Sequence, residues 1–434
     1  QTVYGCPLLL NWDEKSLDIA FKHPSQLIFI LANTRSLTSE LAENKIKDIC
    51  SSIKKFFSKK GYSKDDYIYI SRGDSTLRGH GFIEPSILAK ELGPFNATFH
   101  IPAFLEGGRT TENGIHYLNG TPVHMTDFGR DKVFGYSTSN LAKWIEEKSS
   151  KKIQSKNILH LNIKQLDLAF SNEEGFEFLL SFLSKLENNV SVIVDAKFSH
   201  QLDVFAKALK IISKEKKFLF RTAASFINSL SGLPSNPKST SDLVSLKSKN
   251  IDLNYKSGLI MVGSHVQLAT DQLKFLLKED VCEGLEVSTQ KFAEIFEEEC
   301  HPLLEEFENI LLSKIEAILE NKKVPVLYTS RMEMQFSSKL ERMNFGLALA
   351  EFMAILVGKI TNNLGYIISK GGITTQLLLQ KGLNISQVNL IGQILPGLSI
   401  VQSPFGTNNL PIITFPGNLG NNKTLLDAFK LMES

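Results

Sequence analysis

The stretch ISRGDSTLRGHGF, residues 70–82, gathers Asp74, Ser75, Thr76 and Arg78 between glycines, directly after the apolar run DDYIYI. A second polar stretch, EGGRTTENGIH, starts at Glu106 and carries Gly108 and Arg109. Arginine presents a planar fork that matches a carboxylate, whereas Asp74, Ser75, Thr76 and Glu106 suit neighbouring hydroxyls. Together they point to the recognition of a hydroxylated acid. Capping of the following helix explains Asp74 and Ser75 without a ligand, and for Ser75 and Thr76 both explanations stand. For Asp74 with Arg78 we favour function, because an arginine between glycines contributes little to packing. In the second half of the chain, KGGITTQ (370–376) sets two glycines ahead of two hydroxyls, a pattern that suits phosphate binding but also a simple corner.

These stretches need elements to hold them. QLIFILA (26–32), YIYI (67–70), TFHIPAF (98–104), NILHLNI (157–163) and VSVIVDA (190–196) read as strands buried on both faces. Amphipathic runs such as SELAENKIKDICSSIKKFFSKKG separate them. A second alternation follows in GLIMVGS (258–264), VPVLYTS (324–330), LGYIISKGG (364–372), VNLIGQI (388–394) and LPIITFPGN (410–418). A length of 434 residues exceeds what one core usually serves. The expected fold is therefore α/β, with two domains, each a mainly parallel sheet covered by helices. The boundaries are 1–235 for the first domain, 236–254 for a linker rich in Ser, Asn and Lys, and 255–434 for the second. The polar stretches all follow strands, where α/β ligand sites lie, so they predict one interdomain cleft that closes on its substrate.

The charge balance of 48 basic against 46 acidic residues leaves +2, which is no footprint for nucleic acid or an anionic membrane. No apolar run reaches the ~18 residues of a membrane span. Cys6, Cys50, Cys282 and Cys300 form no C-x-x-C pair, and the histidines form no H-x-x-x-H, so reduced thiols in a cytoplasmic protein are expected and no metal site is legible. No G-x-G-x-x-G follows the first strand, which disfavours a dehydrogenase. The start QTVYGCPLLLNW has neither a basic segment nor an initiating Met, and reads as a chain whose beginning lies upstream.

The blocks SRGDSTLRGHG, IPAFLEGGRTTENGIHYLNGTPV, FGRDKVFGYSTSNLAKWIEEKS, FLFRTAASF, VGSHVQLATDQ, SKGGITTQ and FPGNLG resemble, in order, the four-carbon acid sugar kinases, and most closely the branch with KGGIT and FPGN. The resemblance implies an N-terminal sugar-acid-binding domain and a C-terminal nucleotide-binding domain. It implies transfer of phosphate from ATP, with Mg²⁺, to the terminal hydroxyl of threonate, erythronate or a 3-oxo-tetronate. Carried over by position, the sugar-acid site comprises Arg35, Asp74, Ser75, Thr76, Arg78, Gly79, Glu106, Gly108 and Arg109, with Asp74 and Arg78 as catalytic residues. The ATP site comprises Ser264, Gly371, Gly372, Ile373, Thr374 and Gly417. The partners implied are small molecules, and a homodimer is compatible with the family. Arg72, Ile373, Phe415 and Pro416 depart from the commoner family pattern. The family also has a strand ending in Asp-Asp-x-Thr-Gly just ahead of the segment matching QTVYG. The alternative reading is a non-catalytic sugar-acid or nucleotide binder acting as sensor or scaffold. Within the block FGRDKVFGYSTSNLAKW, Phe134 and Trp144 are expected to pack and Asp131 at most to stand behind the site residues. Arg221 is open to either an ion pair or a ligand.

Overall fold

A computed structural model describes residues 3–233, 239–297, 301–331, 334–404 and 409–434. Gln1, Cys300, part of the expected linker and part of the loop after residue 330 lie outside them. In the first half the strands are β1 (Cys6–Leu9), β2 (Phe29–Ile30), β3 (Tyr69–Arg72), β4 (Ala97–Ile101), β5 (Arg109–Glu112), β6 (Ile115–Leu118), β7 (Thr121–Pro122), β8 (Leu159–Leu161), β9 (Val190–Val194) and β10 (Phe218–Thr222). In the second half they are β11 (Leu259–Val262), β12 (Cys282–Val287), β13 (Val324–Thr329), β14 (Ile367–Lys370), β15 (Gln387–Leu395), β16 (Leu398–Gln402) and β17 (Ile412–Phe415).

Two large sheets result, as the alternation of apolar runs and amphipathic helices predicts. One is a parallel sheet in the order β3-β10-β4-β9-β8. The other has nine strands in the order β12-β13-β11-β14-β17-β16-β15-β1-β2, parallel from β12 to β17 and antiparallel between β17, β16, β15 and β1. A small antiparallel sheet, β5-β6-β7, sits on the first half. Helices cover both large sheets. Helix Ser39–Lys60 shows why they form where they do. Thr38 caps its start by accepting from the Leu41 amide, Ala42, Ile46, Ile49 and Cys50 make one buried face, and Gly61 at φ +73° ends it.

The five-stranded sheet is held by a ring stack of Phe99, Phe205, Phe220 and Phe226, with centroids 5.0–5.6 Å apart. Truncating such a fully buried ring to alanine costs about 3–5 kcal/mol.

Three features differ from expectation. β1 and β2, inside the segment assigned to the N-terminal domain, extend the C-terminal sheet, because β1 pairs with the open edge of β15. The run 26–32 yields only two ladder residues, since β2 is the outer edge of that sheet. Beyond residue 238, the expected linker is packed rather than free. Helix Thr240–Val244 buries Leu243 completely, and the Ser248 amide donates to Gly365 O at 2.9 Å. Cys6, Cys50 and Cys282 are free and buried. No described helix is long and apolar enough to cross a membrane.

Candidate functional site

The loop between β3 and helix Ile83–Leu92 is built around Asp74. Its carboxylate accepts from the Thr76 amide (3.2 Å), the Thr76 hydroxyl (2.9 Å), Arg78 Nε (2.9 Å) and an Arg35 guanidinium nitrogen (3.2 Å). Burial pushes this carboxyl upward, but Arg78, the Thr76 amide and Arg35 outweigh burial and hold it below the ordinary carboxylate value. The helix itself begins at Ile83, and its N-cap Phe82 makes no side-chain cap bond. Capping by Asp74 or Ser75 is therefore not what this loop does. The Thr76 hydroxyl is buried and engaged by Asp74, so it shapes the loop.

The loop is anchored from behind by residues that local sequence reasoning did not assign. His116 Nε2 bonds to Ser75 O at 2.7 Å, and the Tyr136 hydroxyl donates to Thr76 O at 2.7 Å. Burial, above all, pushes the His116 imidazole down to about 4, so it is neutral. The Arg78 guanidinium lies 4.6 Å from the Phe128 ring centroid and 3.6 Å from Asp131. Asp131 itself is pinned by the amides of Val133 and Phe134. Gly79, at φ +94°, turns the chain beyond Arg78. Trp144 and Phe134 pack, the first in a buried cluster with Leu77 and Tyr136, the second edge-on against His80.

Arg35 follows Thr34, whose hydroxyl donates to Glu84 at 2.5 Å. Glu84 is also the partner of Arg221, which donates to Ser71 Oγ at 2.7 Å as well. Arg221 is thus a structural ion-pair member that ties β10 to β3. Arg109 donates to Gly107 O and is close enough to Asp74 and Arg78 for both charges to act on it. Glu106 accepts from the Ser225 hydroxyl at 2.5 Å, and Gly108 at φ +71° makes the corner between the two. Arg35, Asp74, Arg78 and Arg109 accordingly share one polar region, while Glu106 faces Ser225.

On the other side, the loops after β11, β14 and β17 converge. A Cβ on Gly417 would overlap the Ser264 hydroxyl, and one on Gly263 would overlap Thr374. Gly371, at φ +128°, sends its amide to Phe415 O at 2.8 Å. Ser264, Gly371, Thr374 and Gly417 therefore lie together. A Cβ on Gly372 would meet only open space, and Ile373 is exposed. Two basic residues outside the expected set, Arg331 and Lys370, border the same loops.

The two regions are joined. Asn33 Nδ2 donates to Gln376 Oε1 at 2.7 Å, which links the turn carrying Arg35 to the helix that follows Gly371. Gln380 Nε2 donates to Leu10 O at 2.8 Å beside it.

Residues 4–230 match the family of the sugar-binding N-terminal domain, and residues 259–425 that of the nucleotide-binding C-terminal domain. No curated protein matches the chain. Among solved structures, a Salmonella typhimurium LT2 protein provisionally named a tRNA synthase superposes with a TM-score of 0.68 at 14% identity, over 98% of this chain and 93% of that one. A Haemophilus influenzae protein assigned to DUF1537 superposes with a TM-score of 0.61 at 16% identity, over 94% of this chain and 89% of that one. Likeness at such low identity speaks for the fold, whereas the domain matches cover more than half of the sequence. The chain belongs to the family that joins a sugar-binding N-terminal domain to a nucleotide-binding C-terminal domain.

Proposed function

We propose that the protein is an ATP-dependent kinase acting on the terminal hydroxyl of a four-carbon sugar acid such as threonate, erythronate or a 3-oxo-tetronate. The observation that carries this reading is the Asp74–Arg78–Arg35 cluster in the sugar-binding half, tied through the turn at Asn33 to the Gly371 loop of the nucleotide-binding half. Arg35, Arg78 and Arg109 supply charge for the substrate carboxylate. Asp74, ionised and weakly basic between two arginines, suits orienting a hydroxyl better than removing its proton. Phosphoryl transfer asks for little more, since positioning and charge neutralisation dominate its catalysis.

Gly79 and Gly108 shape the acid site, Ser75 and Glu106 border it, and Ser264, Gly371, Gly372, Ile373, Thr374 and Gly417 surround the nucleotide. Mg²⁺ would enter with ATP, held largely by phosphate and water oxygens. Among the described residues no group of three or more His, Cys, Asp or Glu side chains could hold it, and no step is assigned to it.

The test is a coupled assay of ADP release with ATP, Mg²⁺ and each four-carbon acid, alongside binding of each ligand alone. Turnover with one acid supports the kinase. Binding of both ligands without transfer would replace it by the sensor reading.

A further inference from the structure

β13, β11 and β14 lie side by side and run parallel, so their carboxyl ends deliver three loops to one place. The central loop, Gly263–Val266, leads into helix Gln267–Leu276, whose N-cap Val266 makes no side-chain cap bond. The first amides of such a helix favour an anion. Two cations flank this turn. Arg331, after β13, donates to Ser264 O at 2.5 Å and to Val262 O at 3.4 Å, and its Nε is buried without a partner among the described residues.

Lys370, the last residue of β14, is fully buried. Its side chain follows the same sheet face as Val262 and Phe415, the residues paired with it on either side. The ammonium meets Pro416 O at 3.3 Å and lies 3.8 Å from the Phe415 ring centroid. An ammonium has three donors, so one carbonyl leaves capacity for more.

The charge that acts on Lys370 is a like one. Burial first, and then Arg331, bring its ammonium down to about 7. Burial and Arg331 also push the His265 imidazole below its ordinary value. Among the described residues no carboxylate ion-pairs with Lys370 or Arg331; Glu286, whose charge acts on Arg331, is engaged by the Ser330 hydroxyl at 2.6 Å. Confining two cations without a counter-ion is costly in a protein interior. An anionic ligand would supply the charge that the described residues do not.

We propose that Lys370 and Arg331 form the phosphate-binding pair of the nucleotide-binding half, gripping the phosphate groups of a nucleoside triphosphate against the Ser264–Gln267 turn. This rests on the kinase reading for the identity of the ligand, but not for its charge. The glycines of the KGGITTQ stretch then serve to let the Ser264, Gly371 and Gly417 loops close around the anion, while the lysine ahead of them supplies the charge.

Calorimetric titration of the full chain with ATP, adenosine and inorganic pyrophosphate tests it. Lys370→Met should weaken ATP and pyrophosphate about 30-fold, as expected for bonds to a charged group, and leave adenosine unchanged. Its melting temperature without ligand should stay level or rise, because an apolar side chain of similar length replaces an uncompensated buried cation. Lys370→Gln should weaken ATP as well, which guards against a fault particular to methionine. Unchanged ATP affinity in both variants overturns the proposal, as does an equal loss of ATP and adenosine. A variant that melts lower yet binds ATP normally marks Lys370 as a strut for the Phe415–Pro416 turn. Pyrophosphate binding that depends on Lys370, in a protein that ignores ATP, keeps the anion pair and removes the nucleotide. Wild-type protein that binds neither removes both.

Discussion

The sugar-side and nucleotide-side regions both collect cations at strand ends, but they balance them differently. Around Asp74 the counter-charge is built in: one carboxylate engages Arg78 and Arg35, and Asp131 stands 3.6 Å from Arg78. Around Ser264 the cations Lys370 and Arg331 have no such partner among the described residues. A built-in carboxylate preorganises arginines for a small ligand that brings one negative charge and several hydroxyls. A ligand with several negative charges is better met by cations left unneutralised. The first region should therefore be stable and stiff without ligand, and the second should gain most from binding.

The comparison breaks most visibly at Asp74. Asp74→Ala removes the shared partner of two arginines, and the loss of one member of a mostly buried pair typically costs about 3–5 kcal/mol. Chemical denaturation should read that loss, and turnover should vanish with it. The milder Asp74→Asn should lower turnover more than acid binding. An Asp74→Ala protein as stable as wild type would show that the cluster is not preorganised by its own charges.

Acid should separate the halves next. The His116 and His100 imidazoles are pushed down to about 4 and about 3, chiefly by burial. A group whose folded value lies below its unfolded one binds more protons when unfolded, so stability is intact above about 6.5 and falls as pH drops toward 4. For His116 alone the loss is on the order of 3 kcal/mol. Urea midpoints at pH 7 and pH 4 measure it, and His116→Gln should flatten the difference. Hydrogen exchange at pH 4 should open β4, which carries His100, before β11.

Arg78→Ala follows. It should weaken threonate or erythronate binding by about 2–3 kcal/mol, the worth of a charge-assisted pair, and leave ATP affinity nearly unchanged. Equal losses for both ligands would mean that the regions act as one site. The smallest effect is expected at the junction. Gln376→Ala removes the acceptor of the Asn33 bond and should cost about 1 kcal/mol. Its more telling readout is coupling: ATP should then improve sugar-acid binding less than it does in the wild-type protein.

Much of this architecture is written locally. The apolar runs at 97–101, 190–194, 259–262 and 324–329 are strands because each is short, rich in Val, Ile and Phe, and bounded by turn residues. The expected site residues separate in the same way. Asp74 and Arg78 were readable as a pair because they lie four residues apart in a glycine-bounded loop, and Gly371 because a glycine pair stands ahead of two hydroxyls; its φ of +128° is one that only glycine adopts without strain.

Other features had no local signal. CPLL at residues 6–9 was not among the expected strands, and it pairs with Asn389 and its neighbours, because edge pairing depends on which sheet edge is open. Arg221 could have been a ligand until Glu84, far away in the sequence, came within reach of it. Lys370 looks like one more charge beside a glycine pair, and only the stacking of β14 between β11 and β17 turns its side chain inward, next to Arg331 and, among the described residues, without an acid paired to it. Periodicity and turn chemistry act over a few residues, so the sequence by itself determined the elements and the loops that could do chemistry. Which charges are compensated depends on contacts between distant segments, and that only the tertiary structure decided.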